Sequence, residues 1–401
     1  MTKEELNLPD EFFDQFKSQT DLENFLSKIF KQGVNQLLKA EMNEHLGYKK
    51  YEPKGRNSGN SRNGTSDKTI KTSYGQIPIE VPRDRNGVFS PELIPKHQRM
   101  SQKIEQAVIG MYSRGMSTSD IEDQIKEIYG VDLDQGTVSN ITNTLLEHIK
   151  EWQSRPLEDV YYIVWMDGIS IKIRHNGKVI NKTIYLVIGL DKNGMKDVLG
   201  MWINETESAS FWLHVLTDLK ARGVEDILIA STDNLTGLTK AISSMFPDAV
   251  TQLCVVHQIR NSSRYVVWKD KKEFMADLKG VYAAPTLESA EEGLERFEHK
   301  WAGKYGYAIK SWKENWSELT HYFDYPMEIR KIIYTTNIIE NLNRNIRKYI
   351  KTKSLFPDDN AAKKAVFLSI SNVQNKWTQP IRNWGVILNQ FLIKFEDRCR
   401  L

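Results

Sequence analysis

Residues 161–174 read YYIVWMDGISIKIR, and the fold class turns on them. The first six are apolar or aromatic, the pattern of a buried strand. After Asp167-Gly168 the pattern changes to alternation, with Ile169, Ile171 and Ile173 against Ser170, Lys172 and Arg174. That spacing predicts a strand with one wet face. Working outward, residues 183–190 (TIYLVIGL) and 197–203 (DVLGMWI) read as a second and a third strand. Residues 208–222 form an amphipathic helix with Phe211, Val215, Leu216 and Leu219 on one face. Residues 227–230 are a fourth strand that ends at Ser231-Thr232-Asp233, and after a helix residues 251–256 are a fifth. Three strands, a helix, a strand, a helix and a strand predict an α/β layered unit over residues 156–258.

The flanking segments differ in character. Residues 1–48 read as helical, with Phe25, Ile29, Phe30, Val34, Leu37, Leu38 and Met42 in one apolar stripe. That stripe suits packing on the rest of the chain or a contact between protomers. Residues 49–100 read as a basic loop followed by short strands. Between Lys49 and Lys71 the balance is +5, with Arg56 and Arg62 among the cations and Gly55, Gly59 and Gly64 interspersed. Such a loop can lie along phosphates or simply be a solvated linker. Alternation over 76–82, interrupted by prolines, predicts a short edge strand.

Residues 101–155 read as helix, helix, turn, helix. Ser117 or Ser119 caps the second helix, Gly130 ends it and Asp134 caps the third. Early positions of that third helix, Gln135, Thr137, Ser139 and Asn140, suit base edges in a major groove, although a plain three-helix bundle has the same pattern. Residues 259–328 contain no clear strand and carry Trp268, Trp301, Trp312 and Trp316, which reads as a helical insertion. Those tryptophans suit core packing, or stacking on an unpaired base. Residues 329–401 return to helices.

Composition narrows the classes. The 401 residues carry a net charge of +3, so the placement of charge says more than its total. Two cysteines, Cys254 and Cys399, cannot make a disulfide framework. The polar start Met1-Thr2-Lys3-Glu4-Glu5 lacks the apolar stretch of a signal peptide, and no apolar run is long enough to span a bilayer. The expectation is a cytoplasmic, nucleoid-associated protein with no membrane partner. There is no P-loop pattern to seat ATP chemistry.

Three acidic residues are candidates for chemistry. Asp167 lies within or at the end of an apolar strand, where a charge is costly unless it binds something. Asp233 lies at the carboxyl end of another strand, where open α/β sheets place reactive groups. Glu340 opens a helix whose next turns bring Arg344, Arg347 and Lys351 to a neighbouring face. Residues 330–353 carry a balance of +6, the density of a nucleic-acid footprint. Carboxylates so placed hold hard cations, and two such ions serve phosphoryl transfer. Each also has a plain reading: Asp167 as a turn or bulge residue, Asp233 as a helix cap, Glu340 as half of a capping box with Asn337 or of an ion pair with Arg344. Cys254 and His257 are too few for structural zinc. His257 suits a contact to DNA or a structural hydrogen bond. His257 with Arg260 also matches the H-x-x-R string of tyrosine recombinases, with Tyr265, Tyr282 or Tyr305 as nucleophile.

Taken together, these motifs resemble the Mutator-type transposases of bacterial insertion sequences. The likeness rests on Asn63-Gly64, on residues 81–85 (VPRDR) with Gly87 and Phe89, and on WMDG at 165–168. It continues through STD at 231–233, CVVH at 254–257 and YTTNIIE at 334–340, with Asn343, Ile346 and Arg347. The resemblance implies a ribonuclease-H-like catalytic core interrupted by an all-helical insertion, which the 107 positions between Asp233 and Glu340 accommodate. It implies an Asp-Asp-Glu metal site falling on Asp167, Asp233 and Glu340, served by two Mg2+ or Mn2+ ions. The implied activity is cleavage and transfer of DNA strands at terminal inverted repeats, by a homodimer on DNA and without a covalent protein–DNA intermediate. A catalytically inactive DNA-binding regulator derived from such an enzyme is the alternative, and the intact triad argues against it.

Overall fold

The computed structural model describes residues 9–96, 98–233, 237–334, 337–351 and 353–400. The chain divides into two compact units, Met1–Thr144 and Leu145–Leu401.

In the first unit, α1 (Asp10–Phe13) and α2 (Gln19–Leu46) precede a hairpin of β1 (Arg62–Thr72) and β2 (Gly75–Asp84). Three helices follow: α3 (Gln102–Ser113), α4 (Thr118–Tyr129) and α5 (Gln135–Asn143). The stripe on α2 buries Val34 and Leu38 against Ile70, Ile77 and Ile79 of the hairpin, while Ile29 and Leu37 stay exposed. The expected helix over 1–48 is thus broken between Phe13 and Gln19, and its first eight residues lie outside the described ones.

The basic loop ends sooner than its composition suggests. From Arg62 onward it is β1, antiparallel to β2 with Ile70 opposite Ile77 and Lys68 opposite Ile79. Pairing with an apolar-alternating neighbour overrides a sequence rich in Gly, Asn and Lys. Helix α4 begins with a full capping box, Ser117 reciprocated by Asp120, and Gly130 closes it in the left-handed region.

The second unit opens with α6 (Leu145–Ser154) and is built on a five-stranded mixed sheet. Its strands are β3 (Val160–His175), β4 (Lys178–Leu190), β5 (Lys196–Asn204), β6 (Asp226–Thr232) and β7 (Val250–Leu253), in the order β5-β4-β3-β6-β7. The first three are antiparallel, and β6 and β7 run parallel to β3. Helices α7 (Ala209–Ala221) and α8 (Leu238–Met245) cover one face, where Trp212, Val215, Leu216 and Ile242 meet Tyr161, Val164 and Met166 of β3.

The other face carries α9 (Val255–Ser263), α10 (Trp268–Tyr282), α11 (Leu287–Glu314), α12 (Trp316–Thr320), α13 (Met327–Ile333), α14 (Asn337–Ile350), α15 (Asp359–Gln374) and α16 (Trp384–Phe395). Trp165, Ile169, Ile171 and Ile173 face these helices. The protein is therefore α/β with a mixed sheet.

The fifth strand is shorter than expected. It stops at Leu253, and the remaining Cys254-Val255-Val256 begin a helix. Parallel pairing with β6 ends at Thr232–Leu253, and the Cys254 sulfur accepts the His257 N–H at 3.5 Å as a cap. A local cap thus decides a run whose apolar, β-branched side chains read as strand. Among the described residues, no helix is long and apolar enough to cross a membrane.

The Ser117 cap offers a direct check. Ser117→Ala should cost about 1 kcal/mol, the usual value of a lost N-cap, read as a lower midpoint in denaturant unfolding of the full chain.

Candidate active site

Asp167 sits in the middle of the central strand. Pairing between β3 and β4 runs through it without a bulge, Asp167 opposite Leu186 and Gly168 opposite Tyr185, so it is neither turn nor bulge. Glycine is needed beside it, because a Cβ at 168 would lie 2.6 Å from the Thr183 methyl. On the neighbouring strand Thr232 pairs with Met166, which puts Asp233 level with Asp167 at the point where β6 ends and β3 runs on. Asp233 does not cap the next helix, whose N-cap is Gly237.

Glu340 arrives from far along the chain on the first turn of α14. Asp167 and Glu340 line one cavity of 610 Å3, together with His257, Arg260, Asn343, Arg344 and Arg347. His257 joins the carboxylates: its Nδ1 is 2.5 Å from Asp233 and its Nε2 is 3.4 Å from Glu340. Arg260 grips Glu340 with both guanidinium nitrogens, at 2.6 and 3.1 Å. The expected pairing of Glu340 with Arg344 is thus replaced by a pair with a residue 80 positions away.

The charges explain the titration. Burial, then the Asp233 carboxylate, pushes Asp167 up to about 7, although the Gly168 N–H, His257 and Arg347 oppose the shift. Burial alone would push the His257 ring down, but hydrogen bonds to Asp233 and Cys254 and the charges around it outweigh burial and lift it to about 10. In this state His257 is an imidazolium between two carboxylates.

Two residues to which the sequence reading gave no metal-site role belong to this site. Arg260 was considered there only as half of a recombinase string. Asn343 donates its amide to Asp167 from the buried face of α14, where it is 1% exposed. Its signal was legible in principle: an amide on the stripe Ile339, Leu342, Ile346 must find a partner.

The donor set suits a hard cation. Asp167 and Glu340 offer carboxylate oxygens to the cavity, and the Asn343 amide oxygen is buried with no hydrogen-bond partner among the described residues. Asp233, Cys254 and His257 also bring donor atoms within 4.8 Å of one another. Three mixed donors fall short of a structural zinc site, and Cys399 sits elsewhere, its thiol donating to the Phe391 carbonyl. Among the described residues no tyrosine lines the cavity.

The remaining candidates for DNA contact are spread out. Arg344 and Arg347 line the cavity, whereas Lys351 lies just past the end of α14. In the first unit Arg56 is exposed in the loop. Arg62 is occupied by its own chain, donating to Asn43 at 2.5 Å and to the Tyr48 carbonyl at 2.7 Å. Gln135 is exposed on the first turn of α5 and Ser139 is half-buried, but the Thr137 hydroxyl is turned to the cap, donating to Asp134 at 2.6 Å. Of the insertion tryptophans, Trp301 and Trp312 are buried with their indole N–H groups donating to Asp277 and Ser262. Trp268 is 90% exposed.

Carboxylates converging under a row of guanidinium groups can bring a divalent cation to a phosphate-bearing substrate. The comparisons with known proteins give the family. Residues 1–380 match the family described as "Transposase, Mutator family". The transposase for insertion sequence element ISRM3 of Rhizobium meliloti is 38% identical over 97% of this chain and 95% of its own length. The transposase for IS905 of Lactococcus lactis is 34% identical over 90% of this chain and 92% of its own. The transposase for IS256 in transposon Tn4001 of Staphylococcus aureus is 28% identical over 90% and 92%. The chain belongs to the Mutator family of transposases.

The raised Asp167 makes two checks possible. Its folded value near 7 exceeds the ordinary 3.8, so its contribution to stability is full below pH 3.8 and is lost as pH rises towards 7. Asp167→Asn removes that loss and should raise the melting temperature of the metal-free protein at pH 8. Ionisation must also precede cation binding. Mn2+ affinity, followed by electron paramagnetic resonance, should therefore climb with pH and level off above about 7. Asn343→Ala removes a donor to the charged form and should move that midpoint upward.

Proposed function

We propose that this protein is a DNA transposase of an insertion sequence in which Asp167, Asp233 and Glu340 hold Mg2+ or Mn2+, two ions in the working complex. The second unit is read as a ribonuclease-H-like core. Three antiparallel strands followed by two parallel ones on the far side of β3, and helices between β7 and α14, support that reading. Helices α3 to α5, with Gln135 and Ser139 near the start of α5, are read as the helix-turn-helix region that recognises element ends, acting as a homodimer on DNA. The observation that carries the proposal is the meeting of the three acidic side chains around His257 at the end of the sheet.

The bound cations would polarise the phosphodiester and offset charge on the attacking and leaving oxygens. The chain's own groups do the rest. Asn343 and the Gly168 N–H fix the orientation of the Asp167 carboxylate. His257 and Arg260 hold Asp233 and Glu340 in place and supply the positive charge that these carboxylates otherwise lack. Arg344 and Arg347 present guanidinium groups to phosphates. A water and then a DNA 3′-hydroxyl attack in line, and no side chain becomes esterified.

A strand-transfer assay on labelled element ends with Mg2+ or Mn2+ tests this. The native chain should join ends to target. Asp167→Ala, Asp233→Ala and Glu340→Ala should each retain DNA binding and lose more activity than the ~10–100-fold typical of an outer-shell change. Transfer that survives any one of these changes would overturn the assigned roles. No transfer by the native chain would favour a DNA-binding regulator, and a trapped phosphotyrosine would favour a recombinase.

A further inference from the structure

Beside the cavity lies a second concavity, a trough of 800 Å3. One wall is α14 and the turn after it, with Arg344, Arg347 and Lys348 on the helix and Lys351 just past its end. The other is the outer part of the β3–β4 hairpin, with Lys172 and Asn181. Residues 354–356 close the bottom by adding a rung to β3: the Phe356 N–H donates to the Lys172 carbonyl at 2.9 Å, and the Arg174 N–H donates to the Phe356 carbonyl at 2.8 Å. Arg344 and Arg347 line both hollows, so the trough continues the cavity. No acidic side chain among the described residues lines it.

We propose that this trough binds single-stranded DNA and carries the strand that leaves the cavity on one side of the scissile phosphate. The inference rests on the transposase reading and adds to it a track and a strand state. Its walls supply cations, while the floor rests on Ile171, Ile350 and Phe356, which are 5%, 8% and 2% exposed and show it only narrow apolar edges. A duplex turns its charged backbone outward and keeps its base faces stacked, so it would touch only the rim. An unpaired strand can reach those apolar edges with its bases while its phosphates follow the walls.

Burial of Lys353, with the Lys364 ammonium nearby, pushes that amine down to about 8. From Glu340 to Lys351 the helix rises about 16 Å.

The test uses the full chain and a short fluorescein-labelled oligothymidylate, alone and as its duplex with oligoadenylate, read by anisotropy over a salt series. Lys172→Ala, Lys348→Ala and Lys353→Ala should each lower the slope of log affinity on log salt by about 0.7 for the single strand, and together by about 2. The duplex slope should change less. A native single-strand slope in the combined variant overturns the proposal. Equal losses for single strand and duplex overturn the strand assignment.

A second measurement is independent of affinity. Ser354→Cys adds an exposed thiol to a chain whose own cysteines are buried. Oligonucleotides with a thiol tethered to successive phosphates should cross-link there over a short run of positions on one side of the scissile phosphate and not on the other. No cross-link at any position overturns the track. Failure of the transposase reading looks different: the native chain shows no transfer, or transfer ignores the triad. Failure of the trough alone leaves triad-dependent transfer intact with an unchanged salt slope.

Discussion

Two carboxylates side by side, Asp167 within the central strand and Asp233 just past the end of its neighbour, set the terms for everything around them. Asp167 is largely buried and stands level with Asp233, and the mutual repulsion is strongest where water is excluded. A sheet does not keep such a pair without compensation. The chain supplies it with four groups from three elements: the Gly168 N–H on the same strand, the His257 ring and the Arg260 guanidinium on α9, and the Asn343 amide on α14. Removing any one leaves a buried carboxylate short of a donor or a counter-charge. The same imbalance makes the place receptive to a divalent cation, which brings in one atom what His257 and Arg260 bring in two side chains.

The sheet was legible because its strands carry their own periodicity. The run at 161–166 and the alternation after it locate β3 without help, and Asp233 is recognisable from its place after β6. The basic segment from Arg62 to Thr72 was not legible as strand, since its Lys, Ser, Thr and Asn side chains say loop and only pairing with β2 makes it otherwise. The stretch after Leu253 failed in the opposite sense. Its valines say strand, but the partner strand has ended and a sulfur cap starts a helix. The partners within the site were the least legible. Arg260 and Asn343 meet carboxylates 80 and 176 positions away, and no local pattern encodes such a distance.

Helix α14 shows how one segment serves three surfaces. Ile339, Leu342 and Ile346 hold it to the core. Glu340 and Asn343, three residues apart and so on nearly one line, face the acidic cavity. Lys348 and Lys351 extend the charge into the trough, and Arg344 and Arg347 belong to both hollows. A basic balance of this size looks from the sequence like one undivided stripe. Folding sorts it by helical phase into cations that stand over the carboxylates and cations that continue away from them.

The helical insertion is tied into the same arrangement. Helices α10 and α11 have an aromatic core of their own, with Phe274 packed on Phe297, Trp301 and Tyr305. That core lets a long helical segment interrupt the unit without unravelling it. It docks on the sheet through Gln252, whose amide donates to the Leu319 carbonyl at 2.9 Å, and through Ser231, which donates to the Ile333 carbonyl at 3.3 Å. Its entrance is α9, which carries His257 and Arg260, and its exit leads into α14, which carries Glu340 and Asn343. The side chains that balance Asp167 and Asp233 therefore all stand at the two points where the insertion joins the sheet. The packing of the insertion and the charge balance at the carboxylates thus share the same residues.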